Sequence, residues 1–178
     1  MAALFTFGAG TDARAQFEVS SWRDHFPYSV ANEVMVGGDA VVARTPHALF
    51  TVDTSSYEVS RLVKGTHLSQ GNPSALGYDE QRNQWVIAYA DGGIDLKDAW
   101  GVTNIPDLRI AQIVGDKKIH AITIEGEYAY LTSSIGVVVL DLSKREIADT
   151  WTLATASNSV GARCVLSYQW QWLVGTDQ

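Results

Sequence analysis

Short runs of apolar residues recur along the chain, and turns rich in glycine and aspartate separate them. Valine, isoleucine, tyrosine and threonine crowd these runs, and such residues favour β-strands. The breaks include Gly37-Gly38-Asp39, Asp91-Gly92-Gly93 and Glu125-Gly126-Glu127, which suit hairpin turns that need positive φ. The pattern therefore predicts an all-β protein, and no stretch is better explained as a helix.

Three of the predicted hairpins are copies of one another. Residues 39–53, 84–97 and 127–141 align without a gap through their central hairpins, at offsets of 45 and then 43 residues. A hairpin repeat of roughly 40 to 50 residues is typical of a β-propeller blade, a four-stranded sheet that cannot bury its faces alone. The aligned apolar segments are Val41-Val42-Ala43, Val86-Ile87-Ala88 and Ala129-Tyr130-Leu131.

Each copy is predicted to contain four antiparallel strands. The first strands are placed at residues 33–36, 75–78 and 121–124, and the aligned hairpin supplies the second and third strands. The outer strands are placed at residues 57–62, 102–105 and 146–151, which are more polar, as an exposed rim should be.

Residues 136–140 are apolar at every position, which predicts a strand that is covered on both faces. Blades of a propeller meet this condition, because each sheet lies between two neighbours. A generic antiparallel sandwich is the main alternative, and it would show stricter alternation of apolar and polar residues.

The predicted repeats end near Leu153, although propellers typically have four to eight blades. Residues 154–178 show no hairpin turn at the expected offset, and Gln169-Trp170-Gln171-Trp172 resembles nothing upstream. We therefore expect about three blades, from a fragment of a longer chain or a frame-shifted product. A four-bladed ring, closed by residues 21–26 and the tail, is the alternative.

The composition indicates a folded protein, with 46% apolar and 19% charged residues. Twenty acidic and 13 basic residues give a net charge of -7, and no Lys/Arg cluster is present. Because phosphate neutralisation supplies most of the affinity for nucleic acids, we expect no nucleic-acid partner. The sequence also contains no run of about 20 apolar residues, so no transmembrane segment is predicted.

Residues 1–15 are predicted to be a signal-peptide remnant. Residues 1–9 are mostly apolar, and Ala13-Arg14-Ala15 fits the small-x-small rule for cleavage before Gln16. A basic n-region is missing, and a flexible cytoplasmic arm is the alternative. The predicted organisation is thus a signal peptide at 1–15, a partial propeller at 16–153 and a non-matching tail at 154–178. The one cysteine, Cys164, excludes an internal disulfide.

Motifs for chemistry are scarce, and we predict no catalytic residue, cofactor site or metal site. The histidines show no ligand spacing and are interpreted as surface or turn residues; they are His25, His47, His67 and His120. Asp91, Asp95 and Asp98 lack the order of a calcium-binding loop and are interpreted as hairpin-turn and strand-end residues. A carboxylate pair for glycoside hydrolysis depends on a spatial separation that sequence does not reveal.

Six aromatic residues are candidates for stacking against sugar rings: Trp22, Trp85, Tyr89, Trp100, Tyr128 and Tyr130. Trp85, Tyr89, Tyr128 and Tyr130 lie inside predicted strands, which favours the core for these four. Trp100 instead falls in the loop 98–101. It is therefore the predicted contact for a ligand or partner.

Several segments together resemble a known family. They are Trp22-Arg23-Asp24-His25-Phe26-Pro27-Tyr28, residues 86–96, Asn104-Ile105-Pro106-Asp107-Leu108, residues 115–120, Ala129-Tyr130-Leu131, residues 136–142 and residues 146–150. In this order they resemble the N-terminal β-propeller of PorZ-type proteins over roughly residues 17–153. The resemblance is specific because many segments follow one another in the right order.

The resemblance implies a non-enzymatic role in the type IX secretion system. Proteins of this family are exported to the outer-membrane surface, where a sortase-like peptidase and outer-membrane barrels are their partners. They help to attach secreted cargo to anionic lipopolysaccharide. The family has two seven-bladed propellers, so this chain is expected to be a fragment of the first ring. The resemblance assigns no binding residue.

Two other functions share the blade pattern. One is a carbohydrate-active enzyme with carboxylates near the ring axis, for which Asp91 and Asp95 are the residues to substitute. The other is the sensor propeller of a two-component regulator, which a downstream transmembrane helix and kinase would favour.

Overall fold

The computed structural model describes residues 28–113, 115–154 and 159–177. They form an all-β structure, as predicted, with one short helix, α1 (Asp107–Ile110), in a loop where no helix was expected. The strands are β1 (Glu33–Gly37), β2 (Ala40–Arg44), β3 (Leu49–Asp53), β4 (Val59–Leu62), β5 (Pro73–Asp79), β6 (Gln84–Tyr89), β7 (Ile94–Lys97), β8 (Val102–Ile105), β9 (Ile119–Glu125), β10 (Tyr128–Ser133), β11 (Gly136–Asp141), β12 (Glu146–Trp151), β13 (Leu153–Ala154), β14 (Ser159–Val160), β15 (Ala162–Tyr168) and β16 (Gln171–Thr176).

Three four-stranded antiparallel sheets follow one another along the chain as β1–β4, β5–β8 and β9–β12. We call them blades 1, 2 and 3. The predicted first strands lie within β1, β5 and β9, and the outer strands predicted at 102–105 and 146–151 coincide with β8 and β12. The remaining outer strand, β4, begins two residues later than expected, because Tyr57 adopts a positive φ of 57° in the preceding turn.

The central strands of the blades are covered on both faces, as their apolar sequences predicted. Along β11, Val138 and Leu140 pack against blade 2, whereas Val137 and Val139 pack in the opposite direction. Along β6, the alternating residues Val86 and Ala88 face blade 3, and Ile87 and Tyr89 face blade 1. Successive sheets therefore stack face to face, which is the arrangement of a partial propeller.

The expectation that no hairpin follows Leu153 is wrong. Strands β15 and β16 pair antiparallel, 43 residues after β9 and β10, and Ala162 and Val165 pack with Tyr130 of blade 3. This hairpin supplies the first two strands of a further blade. The turn escaped detection because Gln169 and Trp170 both adopt positive φ, at 48° and 67°, a geometry that Asn-Gly usually provides.

Residues 1–27 lie outside the described residues, and so do the predicted signal peptide and the segment 21–26 of the four-bladed alternative. The domain boundaries placed at residues 15 and 153 stay predictions. Within the described part, no helix has the length and hydrophobicity that a membrane span requires.

Candidate functional site

Trp100 lies at the tip of the hairpin between β7 and β8, where 96% of its surface is exposed. The turn is closed by Asp98, whose Oδ1 accepts hydrogen bonds from the backbone N–H groups of Trp100 (2.8 Å) and Gly101 (3.0 Å). Gly101 has a φ of 153°, a conformation that disfavours residues with a Cβ. The local sequence thus holds the indole outward by its backbone geometry.

The same aspartate recurs in the corresponding turns of the other blades. Asp53 Oδ1 accepts from the N–H groups of Ser55 (2.9 Å) and Ser56 (2.7 Å), and Asp141 Oδ1 accepts from Ser143 and Lys144 (both 2.9 Å). Hydrogen bonding, with the Ser143 hydroxyl as the largest cause, lowers the pKa of Asp141 to about 2. Hydrogen bonds from Ser55 and Ser56 also lower the pKa of Asp53.

Two arginines join these turns across neighbouring blades. Arg145 of blade 3 donates to Thr103 Oγ1 (2.7 Å) and lies 3.5 Å from Asp98 Oδ2, both in blade 2. Arg82 of blade 2 pairs with Asp79 in its own turn (2.9 Å) and with Glu127 of blade 3. The turn that carries Trp100 is therefore braced from the adjacent sheet.

Two open clefts flank Trp100. The larger, of about 520 Å³, lies between the residues 65–69 that follow blade 1 and the residues 97–102 of the Trp100 turn. The smaller, of about 390 Å³, is lined by turns of blades 2 and 3 and includes Gln84, Ser143 and Arg145. Gln84 is only 3% exposed, and its Oε1 has no hydrogen-bond partner among the described residues. A buried acceptor of this kind favours a ligand that donates a hydrogen bond.

Trp100 belongs to a wider surface. Turns between first and second strands and between third and fourth strands lie at the same end of each blade, because consecutive hairpins alternate between the two ends of a sheet. We call this end the turn face and define it as residues 37–40, 53–59, 79–84, 97–102, 125–128, 141–146 and 168–171. All five exposed aromatic side chains of the described residues lie there: Tyr57, Trp100, Tyr128, Tyr168 and Trp170.

The aromatic residues that were assigned to the core divide between core and surface. Tyr89 and Tyr130 are buried, as predicted, and Trp85 is half-buried with its ring centroid 4.8 Å from that of Tyr78. The prediction for Tyr128 is wrong, because it is the first residue of β10, directly after a turn, and is 37% exposed. Trp22 lies outside the described residues.

The histidines occupy separate positions. His47 Nδ1 lies 3.0 Å from Asn72 Oδ1 in an exposed contact, and His67 Nδ1 accepts a 3.5 Å hydrogen bond from the N–H of Val63. His120 packs against Arg163, and burial followed by the Arg163 charge lowers its pKa. His25 lies outside the described residues. No three side chains of His, Cys, Asp or Glu in the described ranges are grouped as metal ligands.

Asp91, Asp95 and Asp98 have the turn and strand positions that were predicted. Asp95 is fully buried, and its carboxylate accepts hydrogen bonds from the Tyr89 hydroxyl (2.6 Å), the Ser69 N–H (2.8 Å) and the Asn104 amide (2.8 Å). Burial and the bond to Asp95 raise the pKa of Tyr89. Asp95 therefore ties β6 and β8 to the segment that connects blades 1 and 2.

The exposure of Trp100 was predicted, but the turn face was not. Tyr57 and Trp170 were not selected, because Tyr57 was placed at the start of an outer strand and no hairpin turn was expected in residues 154–178. Cys164 is exposed on β15.

Comparison with solved structures supports the propeller architecture. The chain is similar to PorZ of Porphyromonas gingivalis, described as an essential bacterial surface component of the type IX secretion system, with 26% identity and a TM-score of 0.66. The match covers 83% of this chain and 20% of PorZ, so the chain spans about a fifth of that protein's length.

Two more distant structures share the fold. Apo AztD from Citrobacter koseri gives 15% identity and a TM-score of 0.51, covering 72% of this chain and 36% of AztD. The WD40 β-propeller domain of Doa1 gives 10% identity and a TM-score of 0.50, covering 74% of this chain and 47% of that domain.

Comparison with curated protein sequences finds no match. The family model for the N-terminal β-propeller domain of PorZ, from the type IX secretion system, matches residues 41–171. This range includes the three hairpin repeats except residues 39 and 40, and it ends with β15 and the first residue of β16. The chain therefore belongs to the family of PorZ N-terminal β-propeller domains.

Proposed function

We propose that this chain is part of a non-enzymatic recognition propeller of the type IX secretion machinery. It is exported through the periplasm to the outer-membrane cell surface, where it presents loops to protein partners and anionic lipopolysaccharide. In this role it helps to attach secreted cargo to lipopolysaccharide. The observation that carries the proposal is the family match over residues 41–171.

The geometry supports binding by surface loops. Trp100 is held outward on a braced turn between two open clefts, and aromatic side chains of this kind are common contacts at protein interfaces. Asp95, a candidate carboxylate for the carbohydrate-active alternative, is fully buried and already accepts three hydrogen bonds. Trp100 is the residue that we propose as a contact for a partner or ligand.

Deletion of the gene in its own strain tests the proposal. We expect secreted cargo to lose its attachment to the cell surface, and complementation with the wild-type gene to restore it. Cargo attachment is measured by fractionating cells and medium and probing for the lipopolysaccharide-modified cargo. Normal attachment in the deletion strain would overturn the proposed function.

Complementation with a Trp100→Ala gene tests the contact residue. We expect the variant to reach the cell surface in normal amounts but to recover fewer secretion-system proteins on affinity purification. An Ile110→Ala gene is the control, because Ile110 is an exposed apolar residue at the other end of blade 2. Equal recovery by the two variants would exclude Trp100 as a contact.

A further inference from the structure

The net negative charge of the chain is concentrated on the turn face. Ten carboxylates and four basic side chains lie there, against a net charge of -7 for the whole sequence. The carboxylates are Asp39, Asp53, Glu58, Asp79, Glu80, Asp98, Glu125, Glu127, Asp141 and Glu146, and the basic residues are Arg82, Lys97, Lys144 and Arg145.

The opposite ends of the blades have a different balance. Their described turns, connections and strand ends carry five basic side chains and five carboxylates. These are Arg44, Lys64, Arg109, Lys117 and Lys118, with Glu33, Asp91, Asp107, Asp116 and Asp177. The two ends of the stack therefore differ in electrostatic potential, and a charged partner will be directed to one of them.

Carboxylates share their turns with three of the five exposed aromatic residues, namely Tyr57, Trp100 and Tyr128. Tyr57 is 78% exposed in the Asp53 to Glu58 turn, and Trp100 follows Asp98 at the tip of its own turn. Three of the four basic residues are engaged with carboxylates: Arg82 with Asp79 and Glu127, Lys144 with Asp141, and Arg145 with Asp98. Glu58 and Glu80 are exposed.

We propose that the turn face is a docking surface for a cationic segment of a partner protein, whose Lys and Arg side chains lie over Tyr57, Trp100 and Trp170. This inference rests on the proposed function, since it gives the chemistry of one class of partner. Cations bind the faces of Trp and Tyr rings, and nearby carboxylates add Coulomb attraction and direct the encounter. An anionic saccharide would meet repulsion here, so its contacts are assigned elsewhere on the protein.

The cleft beside Trp100 fits the same partner. Gln84 lines this cleft, and its Oε1 is buried without a donor among the described residues. Lysine and arginine side chains supply only donors, so a basic side chain that enters the cleft beside Trp100 and reaches Gln84 would satisfy this acceptor. The buried acceptor is independent of the surface charge, and it calls for a hydrogen-bond donor, which a basic side chain provides.

Fluorescence anisotropy of a labelled peptide of repeating Arg-Gly-Ser units, titrated with the purified chain, measures this binding. We expect binding that weakens with added salt, and about tenfold weaker binding for the Tyr57→Ala/Trp100→Ala variant. Trp100→Phe should keep most of the affinity because it keeps an aromatic face. Circular dichroism confirms that each variant is folded.

Two double variants of equal net charge test whether the peptide binds the turn face itself or is attracted only by the net negative charge of the protein. Glu58→Gln/Glu80→Gln removes two carboxylates from the turn face, and Asp107→Asn/Asp116→Asn removes two from the opposite ends. The first variant should bind the peptide several-fold more weakly, and the second should bind it like the wild type. Equal weakening by both would overturn the proposal.

A polygalacturonate oligomer, which is an anionic saccharide, tests the alternative type of ligand. We expect no binding that depends on Trp100, and polygalacturonate binding lost in the Trp100→Ala variant would assign the surface to an anionic saccharide and overturn the proposal. Failure to bind the cationic peptide, with cargo attachment still dependent on the gene, would contradict this inference alone. Normal attachment in the deletion strain would contradict the proposed function and leave the peptide result unchanged.

Discussion

At the scale of single residues, Asp95 was a candidate catalytic carboxylate, and the structure shows it as a buried hydrogen-bond acceptor that joins three segments. Its three hydrogen bonds come from β6, from β8 and from the segment that enters blade 2. Replacement by alanine leaves the Tyr89 hydroxyl without its acceptor in a buried site, and it also removes the acceptor of the partly buried Ser69 N–H. We expect Asp95→Ala to lower the free energy of unfolding by about 3 kcal/mol. Urea unfolding followed by circular dichroism measures the change.

Asp107→Ala is the matched control for this prediction. Asp107 is exposed at the start of α1, so its loss should cost only a few tenths of a kcal/mol by weakening one helix terminus. If Asp95→Ala is as stable as Asp107→Ala, the buried carboxylate does not hold the blade connection.

The backbone conformation and close packing at Gly136 require a glycine there. It has a φ of 123°, and a Cβ on this glycine would lie 2.0 Å from the carbonyl oxygen of Trp151. Gly136→Ala must therefore displace backbone between β11 and β12, and we expect a loss of about 3 kcal/mol or more. Gly126→Ala is the control. It has a φ of 59° with nothing within 4 Å of the added carbon, so we expect about 1 kcal/mol.

Thermal unfolding of both glycine variants tests this difference. The Gly136 variant should melt well below the Gly126 variant. Similar melting temperatures would mean that the sheet adapts to the added carbon without strain.

At the scale of elements, one aspartate closes the turn between third and fourth strands in each blade. Asp141 has a pKa lowered to about 2 from an ordinary value of 3.8. A lowered pKa in the folded state stabilises the protein above pH 3.8, and this contribution is lost as the pH falls toward 2. We expect Asp141→Asn to reduce the loss of stability over this interval. Urea unfolding at several pH values measures the slope.

Asp107→Asn serves as the control for the pH experiment, because it removes one exposed carboxyl outside the repeated turns. The comparison is between the slopes of the two variants, and Asp141→Asn should show the smaller loss of stability. An unchanged slope for Asp141→Asn would show that the turn carboxylate does not contribute to acid sensitivity.

The blade elements were largely predictable from the sequence. The two outer strands β8 and β12 coincide with the predicted ranges. Gly101 and Pro106 bound β8, and both strands contain β-branched residues, which favour β-structure. The hairpin of β15 and β16 was missed because Gln169 and Trp170 take positive φ without glycine or asparagine. Packing against Tyr130 and Val139 holds this hairpin in place, and such long-range contacts are not visible in a local turn pattern.

The candidate site was predictable only in part. Trp100 was identified because its turn contains no strand-forming pattern, whereas Tyr128 was misassigned because a strand-forming residue can stand at the exposed first position of a strand. The shared location of Tyr57, Trp100 and Trp170 depends on the order of strands in each sheet. That order becomes evident only when the blades are assembled.

At the scale of the whole molecule, the stacking of sheets gives the molecule two ends that carry different turns. The stacked faces supply the core, and the hairpins alternate so that the same turns collect at one end of every blade. Charge and aromatic residues are then concentrated there by small variations in each turn. Recognition thus depends on the turns, and stability depends on the contacts between sheets.

Because stability depends on contacts between neighbouring sheets, a core substitution should affect mainly the blades that it touches. Leu140 is fully buried between blades 2 and 3, so Leu140→Ala should cost about 2–5 kcal/mol. Because each blade contacts only its neighbours, hydrogen exchange should accelerate most in β5–β12 and less in β1–β4. Leu173→Ala is the control, since Leu173 is half-exposed on β16 and should leave exchange in these sheets unchanged. Equal acceleration in all three blades would show that the stack opens as one unit and that its sheets are not energetically separable.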